Sequence, residues 1–487
     1  VLEEKKPVEA AIDLIDDATT SQEGQPRIAR YASWLLLLLC LLPFLLTAYA
    51  YYHHSHPQGD EPHYLVISQT MWLYHSIDVM KDYNHQDYLS FYPVRLDPHI
   101  STSASGQVLP LHSIGGPFLW LIPFALGGRL GTLFFVCLLS ALTVLNIYLL
   151  LLAMGIQRRY AFGVGLAFAL GSPIYVYSHL TFVEPLAALI CIYVMRIICQ
   201  PTRRTGDLIG ASLALGLLHW IHIRFALVEM VLFGFLLVRL YLDSRANSAG
   251  QFKRYAAYLL PFVALFLLFE LYNLTVWGTL NPAANQASAG KVPFLALPFT
   301  GIIGIFFDQE FGLFTNFPLF AFALPGILLT LKRKYLTLNL LLLALFVPYV
   351  IMVASFDSWA GGWGPPARFI LVLTPTLAFP VAYALQRAGN IVLNGFFALC
   401  ALFAAIIGVA YIWADKSGFN GGHGASLAML YVQKVSHIIF TPYIPSLFQP
   451  HQKPLFLAWL AALLALTLGT WLLVRWKERK SVLLSRS

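Results

Sequence analysis

The chain has 487 residues, 58% of them hydrophobic and only 11% charged, against about 25% charged in an ordinary soluble domain. That composition excludes a soluble globular protein, and the long continuous apolar runs favour membrane helices over an alternating β-barrel. The formal net charge of +8 does not point to nucleic acid, because the basic residues fall in short clusters between apolar runs, the pattern that sets membrane topology.

Residues 1–31 mix charged and polar residues with a short apolar patch at Ala10 to Ile15. They read as a cytoplasmic tail carrying a short surface helix, too acidic and too long for a cleaved signal peptide. Trp34 to Tyr52 is the first apolar run long enough to cross a bilayer, which takes about 20 residues at 1.5 Å rise. A long loop, 53–129, follows, and within it Glu61 to His75 carries Tyr64, Ile67, Met71 and Tyr74 at helical spacing. That spacing predicts an amphipathic helix lying along the membrane interface. Gly115 to Leu126 is apolar but short and holds Pro117 and Pro123. If it lies on the surface rather than crossing, every later basic cluster, Lys332-Arg333-Lys334 among them, falls on the cytoplasmic side. Further spans are then expected at 130–154, 160–178, 184–200, 207–221, 223–242, 255–276, 312–331, 337–354, 367–387, 390–413 and 455–475.

The expected fold is therefore an all-α polytopic membrane protein of about twelve spans. One membrane domain, 32–476, lies between cytoplasmic tails 1–31 and 477–487, and the large external loops are 53–129, 277–311, 355–366 and 414–454. The five cysteines lie in or beside apolar runs without a CxxC pair, which makes them small core or lipid-facing residues.

The external loops hold the chemistry. Asp60 and Glu61 stand just beyond the first span, at the membrane–water boundary, followed by Pro62 and Tyr64. Carboxylates there can act on a lipid-borne group, and they can equally be acids placed at a helix start. His112 lies before Pro117, and Glu184 opens a later helix; acids at the edge of a span usually face a cavity rather than lipid. Arg224 follows a tight His219 to His222 hairpin. It can pair with Glu229 one turn on, or hold a phosphate with its forked guanidinium. Trp363 lies in the run Trp359 to Phe369, where glycines let a ligand approach the backbone, and Arg368 is expected to open an outward helix end. The histidines at 53, 54, 56, 63, 112, 179, 219, 222 and 423 show no zinc-site spacing. They read as interface or hydrogen-bonding groups, so no metal ligand is assigned, and a divalent metal is compatible with the sequence without being required by it.

In this order the motifs resemble the GT-C glycosyltransferases: an acidic pair followed by a Tyr (Asp60, Glu61, Tyr64), a Pro/Gly-rich juxtamembrane stretch, and an acid at the second external mouth (Glu184). The branch they resemble holds the protein O-mannosyltransferases, the lipid A aminoarabinose transferase and their bacterial relatives. The likeness is best from the first span to about residue 200, and Gly312-Leu313 with Gly361 to Arg368 look like a later "GG…GPR" segment. His112 stands where relatives carry a juxtamembrane Glu or His, and Glu184 where many carry Asp. The resemblance implies a polyprenyl-phosphate sugar donor, an acceptor hydroxyl and an inverting displacement on the outer face of a bacterial cytoplasmic membrane. It makes Asp60 the general base and Glu61 its partner, with Tyr64, His112, Glu184 and Trp363 at the substrate and Arg224 and Arg368 on the phosphate. A non-catalytic subunit of a larger complex, or a flippase or transporter for a lipid-linked glycan, stays open at this point. A transporter would place ionisable groups near the bilayer midplane, often within internal repeats, and neither shows here.

Overall fold

A computed structural model describes residues 26–246, 250–290, 296–414 and 419–484. The N-terminal patch at Ala10 to Ile15 lies outside them. The described chain is mostly helical, and its strands form one small hairpin. Seven helices among the described residues are long and apolar enough to cross a membrane: Tyr31–His54, Leu121–Ala153, Ile223–Arg245, Gln251–Trp277, Arg333–Ala354, Ile391–Trp413 and Lys453–Ser481. The protein is an integral membrane protein on this ground.

Seven of the twelve expected spans coincide with these helices, and the others are interrupted or shorter. The run 160–178 breaks into Arg158–Leu170 and Pro173–Tyr177, and 312–331 breaks into Leu313–Asn316, Pro318–Phe322 and Ala323–Thr330. Proline explains the breaks, since it removes a backbone donor and clashes with the preceding turn. The run 184–200 is a single helix, Glu184–Cys199, too short for the span criterion and buried on nearly every side. Helices enclosed by other helices need not match the hydrocarbon thickness, and irregular backbone is tolerated where protein covers it. The last helix, Lys453–Leu484, runs on through most of the segment expected to be a C-terminal tail. All five cysteines are buried and free.

The long first loop is folded onto the bundle. Its helix, Glu61–Tyr74, starts and ends close to where the spacing places it, with Pro62 in the first turn. Its burial is not amphipathic, however. Every residue from Glu61 to Thr70 is buried, because Val79, Tyr83, Tyr88, Phe91 and Phe124 cover Leu65, Val66 and Ile67. Only its end, at Trp72 and Leu73, is exposed. The hairpin then pairs Ile100–Thr102 antiparallel to Val108–Pro110, with Ile100 opposite Pro110. The segment Gly115 to Leu126 is set off from the following span by a kink at Gly127 and Gly128, where Gly128 takes φ 55. Twelve residues rise about 18 Å, short of the ~30 Å hydrocarbon core. Phe118, Ile122 and Leu126 point outward from it.

The loop 414–454 is tied down by one tripeptide. Asp308 accepts the amides of Glu310 at 2.8 Å and Leu447 at 2.8 Å. Gln309 donates to the Thr441 carbonyl at 2.7 Å. The Glu310 carboxylate accepts Gly424 N–H at 2.6 Å and Gly422 N–H at 3.2 Å. Each buried carboxylate is thus satisfied by backbone donors, which offsets its desolvation.

Candidate functional site

The site begins with backbone geometry. Gly59 takes φ +58, and a Cβ there would stand 2.4 Å from the Trp363 carbonyl oxygen. Only glycine meets both conditions, the left-handed backbone and the close approach. Gly59→Ala is therefore expected to cost about 1–3 kcal/mol and to push the Trp363 loop away from Asp60. Thermal unfolding in detergent reads this directly; an unchanged midpoint would contradict the contact.

Asp60 follows as the N-cap residue of the Glu61–Tyr74 helix, yet its side chain makes no cap hydrogen bond. It turns instead to Arg368, whose Nη2 donates to Oδ2. Arg368 also donates through Nε to Glu184 at 2.9 Å and through Nη1 to the Gly361 carbonyl at 2.7 Å. Glu184, fully buried, accepts on the same oxygen from Arg224 Nη2 at 2.5 Å. Asp60, Arg368, Glu184 and Arg224 thus form one chain of charges drawn from four distant parts of the sequence. Burial pushes the Asp60 carboxyl up, but the Arg368 guanidinium, helped by His112 and His63, outweighs it. Asp60 is held as a carboxylate well below the usual range.

Glu61 goes elsewhere. Its carboxylate accepts Tyr51 O–H at 2.6 Å, Gln58 N–H at 3.0 Å and Thr181 N–H at 2.7 Å. These bonds tie the first span to the turn before Glu184. Burial raises its carboxyl above the ordinary value, against the opposing pull of Arg129 and these donors.

A cavity of about 1130 Å³ opens beside Asp60. Of the residues expected at the substrate, Tyr64, His112, Arg224, Trp363 and Arg368 line it with Asp60; Glu184 stands behind the two arginines, and Glu61 does not reach it. Two expectations change. Glu229 pairs with His219 at 3.0 Å rather than with Arg224. Arg368 does not open a helix: Ala367 takes φ 59, and the chain runs in turns to the short helix at Thr374–Leu377. Phe311 accepts the Ala367 N–H at 3.0 Å and fixes that turn.

The residue that sequence reading missed is His99. The hairpin register sets His99 beside Leu111, with the Leu111 N–H donating to its carbonyl at 3.0 Å. His99 Nδ1 then lies 3.2 Å from His112 Nε2. Asp60 Oδ1 is 4.0 Å from the same His112 nitrogen, and one ligand-type atom from each of the three falls within 4.8 Å of the others. The signal was present as two histidines flanking the turn-forming run Ser101 to Gln107.

No protein-family model matches the chain, and no curated relative matches it. Among solved structures it is similar to ArnT from Cupriavidus metallidurans bound to undecaprenyl phosphate, at 14% identity and TM-score 0.47, over 90% of this chain and 76% of that one. The apo state of the same protein gives TM-score 0.46. It is also similar to the archaeal oligosaccharyltransferase AglB from Archaeoglobus fulgidus in complex with an inhibitory peptide and a dolichol-phosphate. There the identity is 14% and the TM-score 0.44, over 80% of this chain and 56% of that one. Likenesses at this level leave the functional reading to the site itself.

Proposed function

We propose that the chain is a GT-C type membrane glycosyltransferase that moves a sugar from a polyprenyl-phosphate donor to an acceptor hydroxyl. The observation that carries this is a cavity in which Asp60 and two arginines meet, at the mouth of a helical membrane bundle. Asp60, ionised and cavity-facing, is the general base for the acceptor hydroxyl. The acceptor oxygen forms a bond to the anomeric carbon as its proton passes to Asp60. The bond from that carbon to the phosphate oxygen breaks, and its electron pair leaves with the phosphate. No acid is needed for this leaving group, but positive charge is. Arg368 and Arg224 are the groups in reach. With Asp60 as the one assigned base and no carboxylate assigned as nucleophile, the proposed displacement inverts configuration. Glu184 orients both guanidiniums, and Tyr64 and Trp363 offer ring faces to the sugar.

A transporter would work by alternating access around a midplane site. The cavity instead lies against Asp60, six residues past the end of the first span helix at His54. The same reading puts Asp60, Glu184 and Arg368 on the external face and both termini in the cytoplasm. The test is transfer of a labelled sugar from polyprenyl phosphate by the purified protein in vesicles, scored beside cysteine labelling at Asp357 and Arg333. Sugar transfer, with the two positions labelled from opposite sides, is expected. Movement of the lipid-linked sugar across the vesicle wall without transfer favours the flippase, and labelling of both from one side ends the topology.

A further inference from the structure

The end of the bundle away from the cavity carries a second cluster of charges. Thr205–Ile221 and Ile223–Arg245 meet at His222 and Arg224 on the cavity wall. Their other ends lie about 35 Å away, since Ile223–Arg245 has 23 residues at 1.5 Å rise. That is the thickness of a bilayer core. There Arg203, Arg239 and Arg254 gather on Asp243.

Arg203 grips both oxygens of Asp243, through Nη2 at 2.7 Å and Nε at 3.0 Å. Its Nη1 donates to the carbonyls of Ile197, Ile198 and Gln200, at the end of the Glu184–Cys199 helix. Arg254 Nη2 donates to Asp243 Oδ2 at 3.0 Å, and Arg239 Nε stands 3.9 Å from Oδ1. Among the described residues Asp243 is the one carboxylate in this set of ion pairs. Three guanidiniums against one carboxylate leave an excess of positive charge. Basic residues that only mark the inner side of a membrane protein can stand in water. Arg203 and Arg239 do not, being 7% and 4% exposed. Like charges repel more strongly where water is excluded, and a further anion relieves that repulsion.

Lipid is the neighbour that can supply it. Gln251–Trp277, the helix that carries Arg254, keeps nearly all of its apolar surface outside the bundle. Tyr241 and Phe252, each two residues from a member of the cluster, are exposed, and Arg254 is partly so. A phospholipid packed against this helix brings its phosphate to the level of the guanidiniums, whose forked N–H donors match phosphate oxygens. Basic pockets between membrane helices recognise anionic headgroups in this way.

We propose that Arg203, Arg239 and Arg254 form a binding site for the phosphate of an anionic phospholipid, in the leaflet opposite the cavity. Arg203, its donors taken up by Asp243 and the helix-end carbonyls, fixes the cluster. Arg239 and Arg254 contact the phosphate. The lipid then braces Gln251–Trp277 against the ends of its two neighbours. The site stands apart from the cavity and does not depend on sugar transfer.

The test is native mass spectrometry of the full chain in detergent, with phosphatidylglycerol, phosphatidylcholine or inorganic phosphate added. One phosphatidylglycerol per chain is expected to persist where phosphatidylcholine dissociates. Arg239→Gln and Arg254→Gln are each expected to weaken it about tenfold or more, the loss of one charge-assisted hydrogen bond. Arg333→Gln removes an exposed charge outside the cluster and is expected to leave retention unchanged. The comparison of the two lipids uses the parent chain and does not depend on any variant folding. Equal retention of both lipids, an equal loss in Arg333→Gln, or parent affinity in both cluster variants would each overturn the site. Inorganic phosphate held as tightly as phosphatidylglycerol would make it a site for a free anion and overturn the lipid. Residues 1–25 carry seven acids and two lysines. A rise in lipid retention when they are deleted would make that segment the occupant, and would overturn the lipid as well.

Discussion

Asp60→Asn is expected to lower sugar transfer by about 10²–10⁴-fold, the range a general base contributes, with the chain still folded. The amide keeps the shape of the side chain and removes the proton acceptor. Arg368 retains its bonds to Glu184 and to the Gly361 carbonyl, so the wall of the cavity stays in place. Because Asp60 makes no cap bond but pairs with Arg368, a purely structural role predicts a loss of stability from that pair and from the helix dipole, with turnover per folded molecule unchanged. Single-turnover transfer, measured beside donor binding, separates the two. Glu61→Gln is the informative companion. Its carboxylate accepts three donors away from the cavity, and an amide cannot accept them all, so a stability loss of about 1–3 kcal/mol is expected with turnover per folded molecule unchanged. Full transfer in Asp60→Asn would remove the base assignment and move the non-catalytic readings ahead.

The acidic pair was legible in the sequence as a pair, but not as two different jobs. Adjacent residues at a helix start point in directions about 100° apart. Here that separation sends Asp60 to Arg368 and Glu61 to Tyr51 and Thr181. Arg368 and Glu184 were legible as charged groups at span ends, where a charge is costly unless it is paired or faces a cavity. Their direct contact was not legible, because nothing local links positions 184 residues apart. The same limit hid the ties between Asp308 to Glu310 and the loop 414–454. Hydropathy did not show which apolar runs would form long unbroken helices, because it measures apolarity, and an apolar helix enclosed by protein is as hydrophobic as one in lipid. Glu184–Cys199, buried on nearly every side, is the clearest instance. His99 escaped notice because a metal-type constellation built by a hairpin has no fixed spacing, unlike one built on a single helix.

Arg368→Lys is expected to weaken donor binding by about 10- to 150-fold, the equivalent of one charge-assisted hydrogen bond of about 1.5–3 kcal/mol. The guanidinium serves three partners at once, Asp60, Glu184 and the Gly361 carbonyl. Lysine carries the same charge as a single point on a flexible stem and cannot hold three fixed directions. Arg368→Ala is the poorer test, since it strips a partner from two carboxylates, and breaking a buried pair costs about 3–5 kcal/mol. Loss of binding there would mix misfolding with function. Arg224→Lys is expected to act in the same direction and less strongly, because Arg224 pairs with Glu184, whereas Arg368 serves two carboxylates. Unchanged donor affinity in both Arg368→Lys and Arg224→Lys would place the phosphate outside this cavity altogether.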